Sequence, residues 1–173
     1  MEKEGCVHVY TGNGKGKTTA ALGLLLRAAG AGWTVFLGQF LKKKGSSEHE
    51  AISRLGEGVT VRTFGGDRAI GASPSPQDSL LAREGLAVLR EALESRQYDL
   101  VIADEILVAA SLGILPEGDV LGLLEARPAS VELVLTGRDA FPELLRRADL
   151  VTEMREVRHY FRRGLPARRG IEK

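Results

Sequence analysis

Residues 12–19 read Gly12-Asn13-Gly14-Lys15-Gly16-Lys17-Thr18-Thr19, and this stretch decides the fold. Glycines at alternate positions let successive backbone N–H groups turn inward around an anion, a lysine can reach between phosphates, and a threonine hydroxyl can bind Mg²⁺. Gly16-Lys17-Thr18 fits the end of the usual pattern G-x-x-x-x-G-K-[ST]. The first glycine of that pattern would fall where Thr11 stands, so Gly12 and Gly14 supply the flexibility instead. The stretch predicts a phosphate-binding loop for the triphosphate of a nucleotide, ATP with Mg²⁺.

The segments on either side of the loop favour this interpretation. Residues 6–11 alternate between apolar and polar side chains, which predicts a strand, and residues 17–29 predict a helix. The N-terminus of that helix adds a partial positive charge where phosphates would lie. The alternatives are weaker, because a bland turn does not need three alternate glycines, and a dinucleotide-binding G-x-G-x-x-G would need glycine where Lys17 stands.

Strand-like and helix-like segments alternate along the rest of the chain. Further strands are predicted at 33–40, 59–64, 100–103, 131–135 and 150–154, and helices at 46–55, 78–96, 117–125 and 141–147. Residues 65–77 are rich in glycine, proline and serine and predict a long surface loop. The alternation predicts a three-layer α/β/α sandwich with a mostly parallel sheet, of the P-loop NTPase (RecA-like) type. We expect one nucleotide-binding domain over residues 1–173, with a basic C-terminal tail.

Composition indicates an ordinary globular protein. The chain has 173 residues, a formal net charge of +1, 43% hydrophobic residues and one cysteine, which excludes an internal disulfide. Its apolar runs are too short to span a bilayer, and its charged start does not have the form of a signal peptide, so we expect a cytoplasmic protein without membrane contact. The basic residues are concentrated near the C-terminus, where charge runs are usually solvated, and no nucleic-acid partner is expected.

Asp104 and Glu105 follow four apolar residues at the end of a predicted strand. From that position a carboxylate can reach a magnesium ion that bridges phosphates opposite the loop. Acids at a strand end can instead cap the next helix, but beside a phosphate loop they are interpreted as a Walker B pair. Asp104 would meet the ion directly or through water, and Glu105 would complete the magnesium shell or polarise a water. The sequence leaves these two roles open.

Nearly the whole chain resembles the family of ATP:corrinoid adenosyltransferases of the phosphate-loop type, which adenosylate cobalamin and its precursors. The first and last of the matching segments are the most specific. The segments are Thr11-Gly12-Asn13-Gly14-Lys15-Gly16-Lys17-Thr18-Thr19-Ala20-Ala21, Gln39-Phe40-Leu41-Lys42, Asp104-Glu105, Ala126-Arg127-Pro128, Thr136-Gly137-Arg138 and Arg158-His159-Tyr160-Phe161, with Gly164, Ala167 and Gly170-Ile171-Glu172.

The resemblance implies that the reduced cobalt of cob(I)alamin or cob(I)yrinic acid a,c-diamide attacks the ribose 5′ carbon of ATP, the co-substrate, and expels tripolyphosphate. Lys17, Thr18 and Glu105 are then the catalytic residues, and Thr18, Asp104 and Glu105 hold Mg²⁺. Implied partners are a second copy of the chain in a homodimer and a flavoprotein reductant. The nucleotide would be bound by Gly12, Asn13, Gly14, Lys15, Gly16, Lys17, Thr18, Thr19 and Arg138.

Two other functions remain open from the residues alone. One is a P-loop ATPase or kinase that transfers or hydrolyses the γ-phosphate, with Glu105 polarising water. The other is a nucleotide-binding or corrinoid-binding protein without catalysis. The family has aromatic residues under the corrin ring after the third strand, whereas Gly65-Gly66-Asp67-Arg68-Ala69-Ile70-Gly71 has none and leaves Phe64 and Ile70 as apolar candidates. The family also tends to have an N-terminal extension over the corrinoid and an aromatic where Lys173 stands.

Two further side chains have both a functional and a structural interpretation. Arg138 follows a predicted strand end, where it could clamp a phosphate or a corrinoid side chain, or pair with Asp139 at the surface. His159, beside Tyr160 and Phe161, is expected to be structural. Neither residue is needed to activate reduced cobalt, which requires no general base.

Overall fold

Six parallel strands form one sheet in the computed structural model, which describes residues 4–66 and 73–172. Their order across the sheet is β3-β2-β4-β5-β1-β6. The strands are β1 (Val7–Thr11), β2 (Val35–Phe40), β3 (Val59–Phe64), β4 (Leu100–Asp104), β5 (Glu132–Thr136) and β6 (Leu150–Glu153). The helices are α1 (Lys17–Gly30), α2 (Ser47–Ile52), α3 (Pro76–Glu94), α4 (Ile106–Ser111), α5 (Glu117–Ala126) and α6 (Pro142–Arg147), with 3-10 turns at Ser53–Leu55 and Tyr160–Arg163.

Helices cover both faces of the sheet, and β4 shows how. Leu100 and Ile102 pack in the cluster that contains the buried residues of α1, while Val101 and Ala103 pack in the larger cluster with α3, α4 and α5. Alternate residues of a strand point to opposite faces, so a strand buried on both sides reads as a continuous apolar run. The predicted α/β/α sandwich is therefore confirmed, and every strand pairing is parallel.

The strand order places the predicted site. Strand β5 lies between β1 and β4, so the glycine-rich loop after β1 and the acids at the end of β4 lie two strands apart at the same edge of the sheet. Parallel strands of α/β folds gather ligands at their carboxyl ends. Thr136, the last residue of β5, lies at this edge on the strand between β1 and β4, and it hydrogen-bonds Asp104.

Two local features differ from the sequence predictions. Helix α3 begins at Pro76, inside the predicted loop 65–77, because Ser75 and Asp78 form a capping box and proline suits the first helical position. Helix α4 was not predicted, since it has only six residues, five of them apolar, and begins directly after the acids that end the apolar run of β4. The part of the predicted loop at 67–72 lies outside the described residues. Among the helices of the described ranges, none has the length and apolarity needed to span a membrane.

Arg127 joins the start of β1 to the turn before β5. Its Nη1 atom donates to the backbone oxygens of Gly5 (3.0 Å), Pro128 (3.2 Å) and Val131 (2.8 Å), and lies 3.4 Å from that of Ala129. These carbonyls belong to segments more than a hundred residues apart, which the sheet brings together. The segment Ala126-Arg127-Pro128 therefore has a structural explanation.

We expect Arg127→Met to lower the free energy of unfolding by about 3 kcal/mol, because hydrogen bonds to a charged donor are lost and partly buried carbonyls are left unpaired. Urea unfolding followed by circular dichroism measures the change. An exposed arginine on α3 provides the control, since Arg83→Met should stay close to the wild type. Equal stability of the two variants would contradict a structural role for Arg127.

Candidate functional site

The loop after β1 is shaped by the end of β6. Gly12 and Gly16 have φ of 92° and 124°, which only glycine adopts readily. A Cβ atom on Gly12 would lie 2.5 Å from the backbone oxygen of Met154, and one on Gly14 would lie 2.7 Å from it. The Gly14 N–H donates to that same oxygen (2.6 Å), and Met154 N–H donates to the Thr11 carbonyl (2.8 Å). The alternate glycines thus allow a neighbouring backbone to touch the loop.

Lys17 lies over the loop, where phosphates would sit. Its side chain is buried, with 6% of the residue exposed, and Nζ donates to the backbone oxygens of Gly12 (2.6 Å) and Gly14 (2.9 Å). Burial lowers the pKa of Lys17; Glu105 opposes this shift and Arg138 adds to it. The amine is therefore held inside the loop by neutral carbonyls and nearby charges of both signs.

Asp104 is hydrogen-bonded by three donors. One carboxylate oxygen, Oδ1, accepts from the hydroxyls of Thr18 (2.9 Å) and Thr136 (2.7 Å), and Oδ2 accepts from Nε2 of Gln39 (3.0 Å). Asp104 is only 1% exposed, and it lies behind the wall of the cleft described below. The carboxylate therefore fixes the Thr18 hydroxyl in place.

Glu105 lies in front of Asp104 and borders the cleft. It adopts a left-handed conformation (φ 62°) as the residue before α4, and its backbone N–H donates to Oγ1 of Thr136 (2.9 Å). Burial raises the pKa of the Glu105 carboxyl, and the neighbouring Asp104 raises it further, while Lys17 and Arg138 oppose the rise. The two acids therefore have different surroundings. Both oxygens of Asp104 accept hydrogen bonds from side chains, whereas Glu105 borders the cleft.

We expect Glu105→Gln to raise the free energy of unfolding at neutral pH. Since the folded-state pKa of Glu105 lies above its unfolded value, the wild type loses stability as the pH rises through that folded pKa, and glutamine does not. The difference between variant and wild type should therefore vanish below the ordinary pKa of glutamic acid. Thermal unfolding across this pH range measures it, with the exposed Glu57→Gln as control. A variant less stable than the wild type at neutral pH would contradict the raised pKa.

These groups open into one cleft of about 1090 Å³. Loop residues 13–19 form one wall together with Glu105 and Arg138. Lys42 and Glu48, which form an ion pair, border the cleft on another side. The opposite wall comes from the C-terminal tail and includes the exposed apolar side chains of Phe161 and Ile171. The cleft combines a cationic loop with an apolar rim.

Lys15 points toward the tail. Its Nζ donates to the hydroxyl of Tyr160 (2.7 Å) and to the carboxylate of Glu172 (2.7 Å). Glu172 also accepts from the Tyr160 hydroxyl and from the backbone and guanidinium of Arg168. These donors hold the pKa of the Glu172 carboxyl well below its usual range, the Arg168 hydrogen bond contributing most. The tail is thereby attached to the loop by a second lysine.

The structure brings most of the predicted residues together. Gly12 and Asp104 lie behind the cleft wall, and Phe64 is a core residue that is 4% exposed and packs against Phe40. Ile70 lies outside the described residues. His159 accepts from the Phe161 N–H through Nδ1 (3.1 Å), as a structural role requires, and it also borders the cleft. The predicted residues that border the cleft are Asn13, Gly14, Lys15, Gly16, Lys17, Thr18, Thr19, Glu105 and Arg138.

Sequence reasoning placed Gln39 and Thr136 in the segments that resemble the family but gave neither a role in the site. Both are fully buried, and each hydrogen-bonds Asp104. A sequence signal existed, because a glutamine and a threonine at the ends of apolar strands interrupt otherwise apolar runs at the edge where ligands bind.

The oxygens near the loop fit a magnesium ion that is bound mainly through phosphates. Thr18 and Glu105 supply a hydroxyl and a carboxylate beside the cleft. Within residues 4–66 and 73–172, no group of three or more His, Cys, Asp or Glu side chains could form a metal cage. Mg²⁺ commonly takes only one or two carboxylates and completes its shell with substrate phosphates and water. The donor set therefore suits this ion.

A solved structure with a similar fold is that of a KaiC-like protein from the hyperthermophilic archaeon Pyrococcus horikoshii. It matches with a TM-score of 0.59 and 18% identity, covering 88% of this chain and 74% of that chain. At this identity the likeness concerns the fold alone. It supports the P-loop NTPase (RecA-like) architecture.

The sequence comparisons are more specific. The family described as ATP:corrinoid adenosyltransferase BtuR/CobO/CobP matches residues 3–172. A corrinoid adenosyltransferase of Pseudomonas aeruginosa is 36% identical over 172 residues, covering 99% of this chain and 85% of that protein. Its counterpart in Escherichia coli K12 is 32% identical, with coverage of 99% and 87%. By the extent of these matches, the chain belongs to the family of ATP:corrinoid adenosyltransferases.

Proposed function

We propose that the protein transfers the 5′-deoxyadenosyl group of ATP to the reduced cobalt of a corrinoid, cob(I)alamin or cob(I)yrinic acid a,c-diamide, and releases tripolyphosphate. As a family member it is a transferase with ATP as co-substrate and a corrinoid as acceptor. The observation that carries the residue-level proposal is the single cleft onto which the loop, Lys17, Thr18 and Glu105 all open. Its volume, about 1090 Å³, lies at the upper end of the ~300–1,000 Å³ usual for a small-ligand site, which suits a nucleotide triphosphate.

The reaction is a displacement at the ribose 5′ carbon. The electron pair of cobalt(I) forms the cobalt–carbon bond, the bond from C5′ to the α-phosphate oxygen breaks, and its electron pair leaves with tripolyphosphate. Charge therefore grows on the leaving triphosphate in the transition state. Stabilising that charge is what a fixed set of cations and N–H donors does best.

Each catalytic residue has a separate task in this proposal. Lys17 moves from the Gly12 and Gly14 carbonyls to the phosphate oxygens, and backbone N–H groups of the loop donate beside it. Thr18 and Glu105 hold Mg²⁺, which neutralises part of the triphosphate charge when bound. Asp104 stays on its three hydrogen-bond donors and orients the Thr18 hydroxyl. Arg138, at the cleft rim, clamps a phosphate.

The wider setting follows from the same assignment. We propose a homodimer, which the exposed Leu150 and Val151 on strand β6 support, with 40% and 45% of their surface accessible. We also propose that a flavoprotein reduces the cobalt before transfer and that the reaction takes place in the cytoplasm.

The product of the reaction tests the proposal. The protein is incubated with ATP, Mg²⁺ and chemically reduced cobalamin, and adenosylcobalamin is measured by its absorbance while phosphates are separated by ion exchange. We expect adenosylcobalamin and tripolyphosphate in equal amounts, and neither when cobalamin or Mg²⁺ is omitted. Release of ADP and phosphate without adenosylcobalamin would instead identify a γ-phosphate enzyme.

A further inference from the structure

A chain of hydrogen bonds leads from the loop before α2 to Asp104. The Gly45 N–H donates to Nδ1 of His49 (3.2 Å), Nε2 of His49 contacts Oε1 of Gln39, and Nε2 of Gln39 donates to Oδ2 of Asp104 (3.0 Å). Asp104 in turn accepts from Thr18 (2.9 Å). The Gln39 side chain is fully buried, and Gln39 lies opposite Asp104 in the pairing of β2 with β4.

The donor and the acceptor of each hydrogen bond in this series follow from the groups at its two ends. Asp104 can only accept, so the amide group of Gln39 turns its NH₂ toward Asp104 and its oxygen toward His49. Because Gly45 donates to Nδ1, the proton of the neutral imidazole is on Nε2, where it is donated to Gln39. Burial lowers the pKa of His49, with Lys42 and Lys44 adding to the effect and Glu48 opposing it, and this agrees with a neutral ring.

We infer that His49 is a positioning residue of the triphosphate–magnesium centre, acting through Gln39 and Asp104 on the Thr18 hydroxyl. The inference rests on the proposed function, in which Thr18 binds the ion. A carboxylate with one oxygen left unpaired can rotate, whereas donors on both oxygens fix its plane and so the direction of the Thr18 lone pair. Groups behind a metal ligand of this kind commonly control affinity for the ion.

The position of His49 makes this more than a packing contact. It lies on α2 next to Glu48, whose ion pair with Lys42 borders the cleft. The Gly45–His49–Gln39 connection therefore ties the segment that carries Lys42 and Glu48 to the strand end that carries Asp104. The imidazole thus adds a link between two walls of the same cleft, beside the hydrogen bond that Gln39 makes with Glu48.

Two substitutions at His49 separate the hydrogen bonds. His49→Asn keeps an acceptor near the position of Nδ1 and loses the donor to Gln39, whereas His49→Gln keeps a donor near the position of Nε2. We expect H49N to raise the Mg²⁺ concentration for half-maximal adenosylation about 10-fold and H49Q to stay near the wild type. The control on the same helix is Glu50→Gln, whose ion pairs with Arg54 and Arg169 are exposed to solvent and contribute little, so magnesium dependence should stay that of the wild type.

A second readout does not depend on corrinoid turnover. Mg²⁺ with tripolyphosphate should raise the Tm of the wild type and H49Q, and raise it much less in H49N. If the wild type made no adenosylcobalamin, the proposed function would fail, and this thermal shift would still test the relay. Equal magnesium dependence of H49N and H49Q in both readouts would overturn the inference.

A double-mutant cycle tests the route through Gln39. Gln39→Leu should itself raise the Mg²⁺ concentration for half-maximal adenosylation as H49N does. Adding H49N to Q39L should have no further effect, because residues in one network are not additive. The Tm of H49N without ligand shows whether that variant is folded. If it is not, Q39L alone still tests whether the hydrogen bonds to Asp104 control magnesium binding. An undiminished effect of H49N in the Q39L background would exclude the relay.

Discussion

Replacing Lys17 by methionine lowers the rate of adenosyl transfer by about 10²–10³-fold, the usual cost of one donor to transition-state charge. The ammonium is the buried cation of the loop, and its Nζ already lies within hydrogen-bond distance of two loop carbonyls. Methionine keeps most of the length of the side chain and removes the charge together with its N–H donors. Initial rates with ATP, Mg²⁺ and cob(I)alamin measure the effect, most of it in kcat.

The loss should not come from unfolding. Burial lowers the pKa of Lys17, which means that keeping this charge in the folded protein costs stability. Methionine, an apolar side chain of similar length, does not have that cost. We therefore expect K17M to have a Tm at least equal to that of the wild type. The exposed Lys44→Met is the control for loss of one positive charge and should keep full activity. Activity of K17M close to that of the control would mean that the triphosphate lies elsewhere.

Asp104→Asn has the second largest expected effect, a loss of about 100-fold in kcat/KM for Mg²⁺–ATP. The change is almost isosteric, but all three partners of Asp104 are donors: the hydroxyls of Thr18 and Thr136 and the amide of Gln39. An asparagine must turn its NH₂ toward one of these donors in either orientation. The Thr18 hydroxyl then loses its fixed direction, or Gln39 must flip and abandon His49.

The measurement is a magnesium titration of the rate, together with thermal unfolding. The matched control is Asp119→Asn, an exposed aspartate in the first turn of α5. We expect D104N to need a higher Mg²⁺ concentration for its half-maximal rate and to unfold at a lower temperature, since the buried network is left with opposed donors. Wild-type magnesium dependence in D104N would show that Asp104 does not orient Thr18.

The sequence predicted the parts of the site that are local in the chain. The loop 12–19 has its own pattern, and the acids after β4 follow an apolar run, so neither needs knowledge of distant contacts. The tail attachment is different, because Lys15 and Glu172 are 157 positions apart and meet only when β6 lies beside β1. Such contacts depend on strand order, which local periodicity does not determine.

The Asp104 network lies between these two cases. Gln39, Asp104 and Thr136 each follow by two positions a residue that faces α1, namely Leu37, Ile102 and Val134. Strand alternation alone thus puts all three on the same face of the sheet. What could not be predicted is that β2, β4 and β5 are neighbours in that order.

The contact between the glycine loop and β6 has a consequence for how such sequences diverge. Gly12 and Gly14 meet Met154 through its backbone oxygen, so the contact is indifferent to most side chains at that position but intolerant of a Cβ on either glycine. Mutations can therefore accumulate along the edge strand while the two glycines stay fixed. A design that moves this loop to another scaffold must therefore also supply the backbone segment at Met154. The need for glycine at positions 12 and 14 comes partly from that neighbouring backbone.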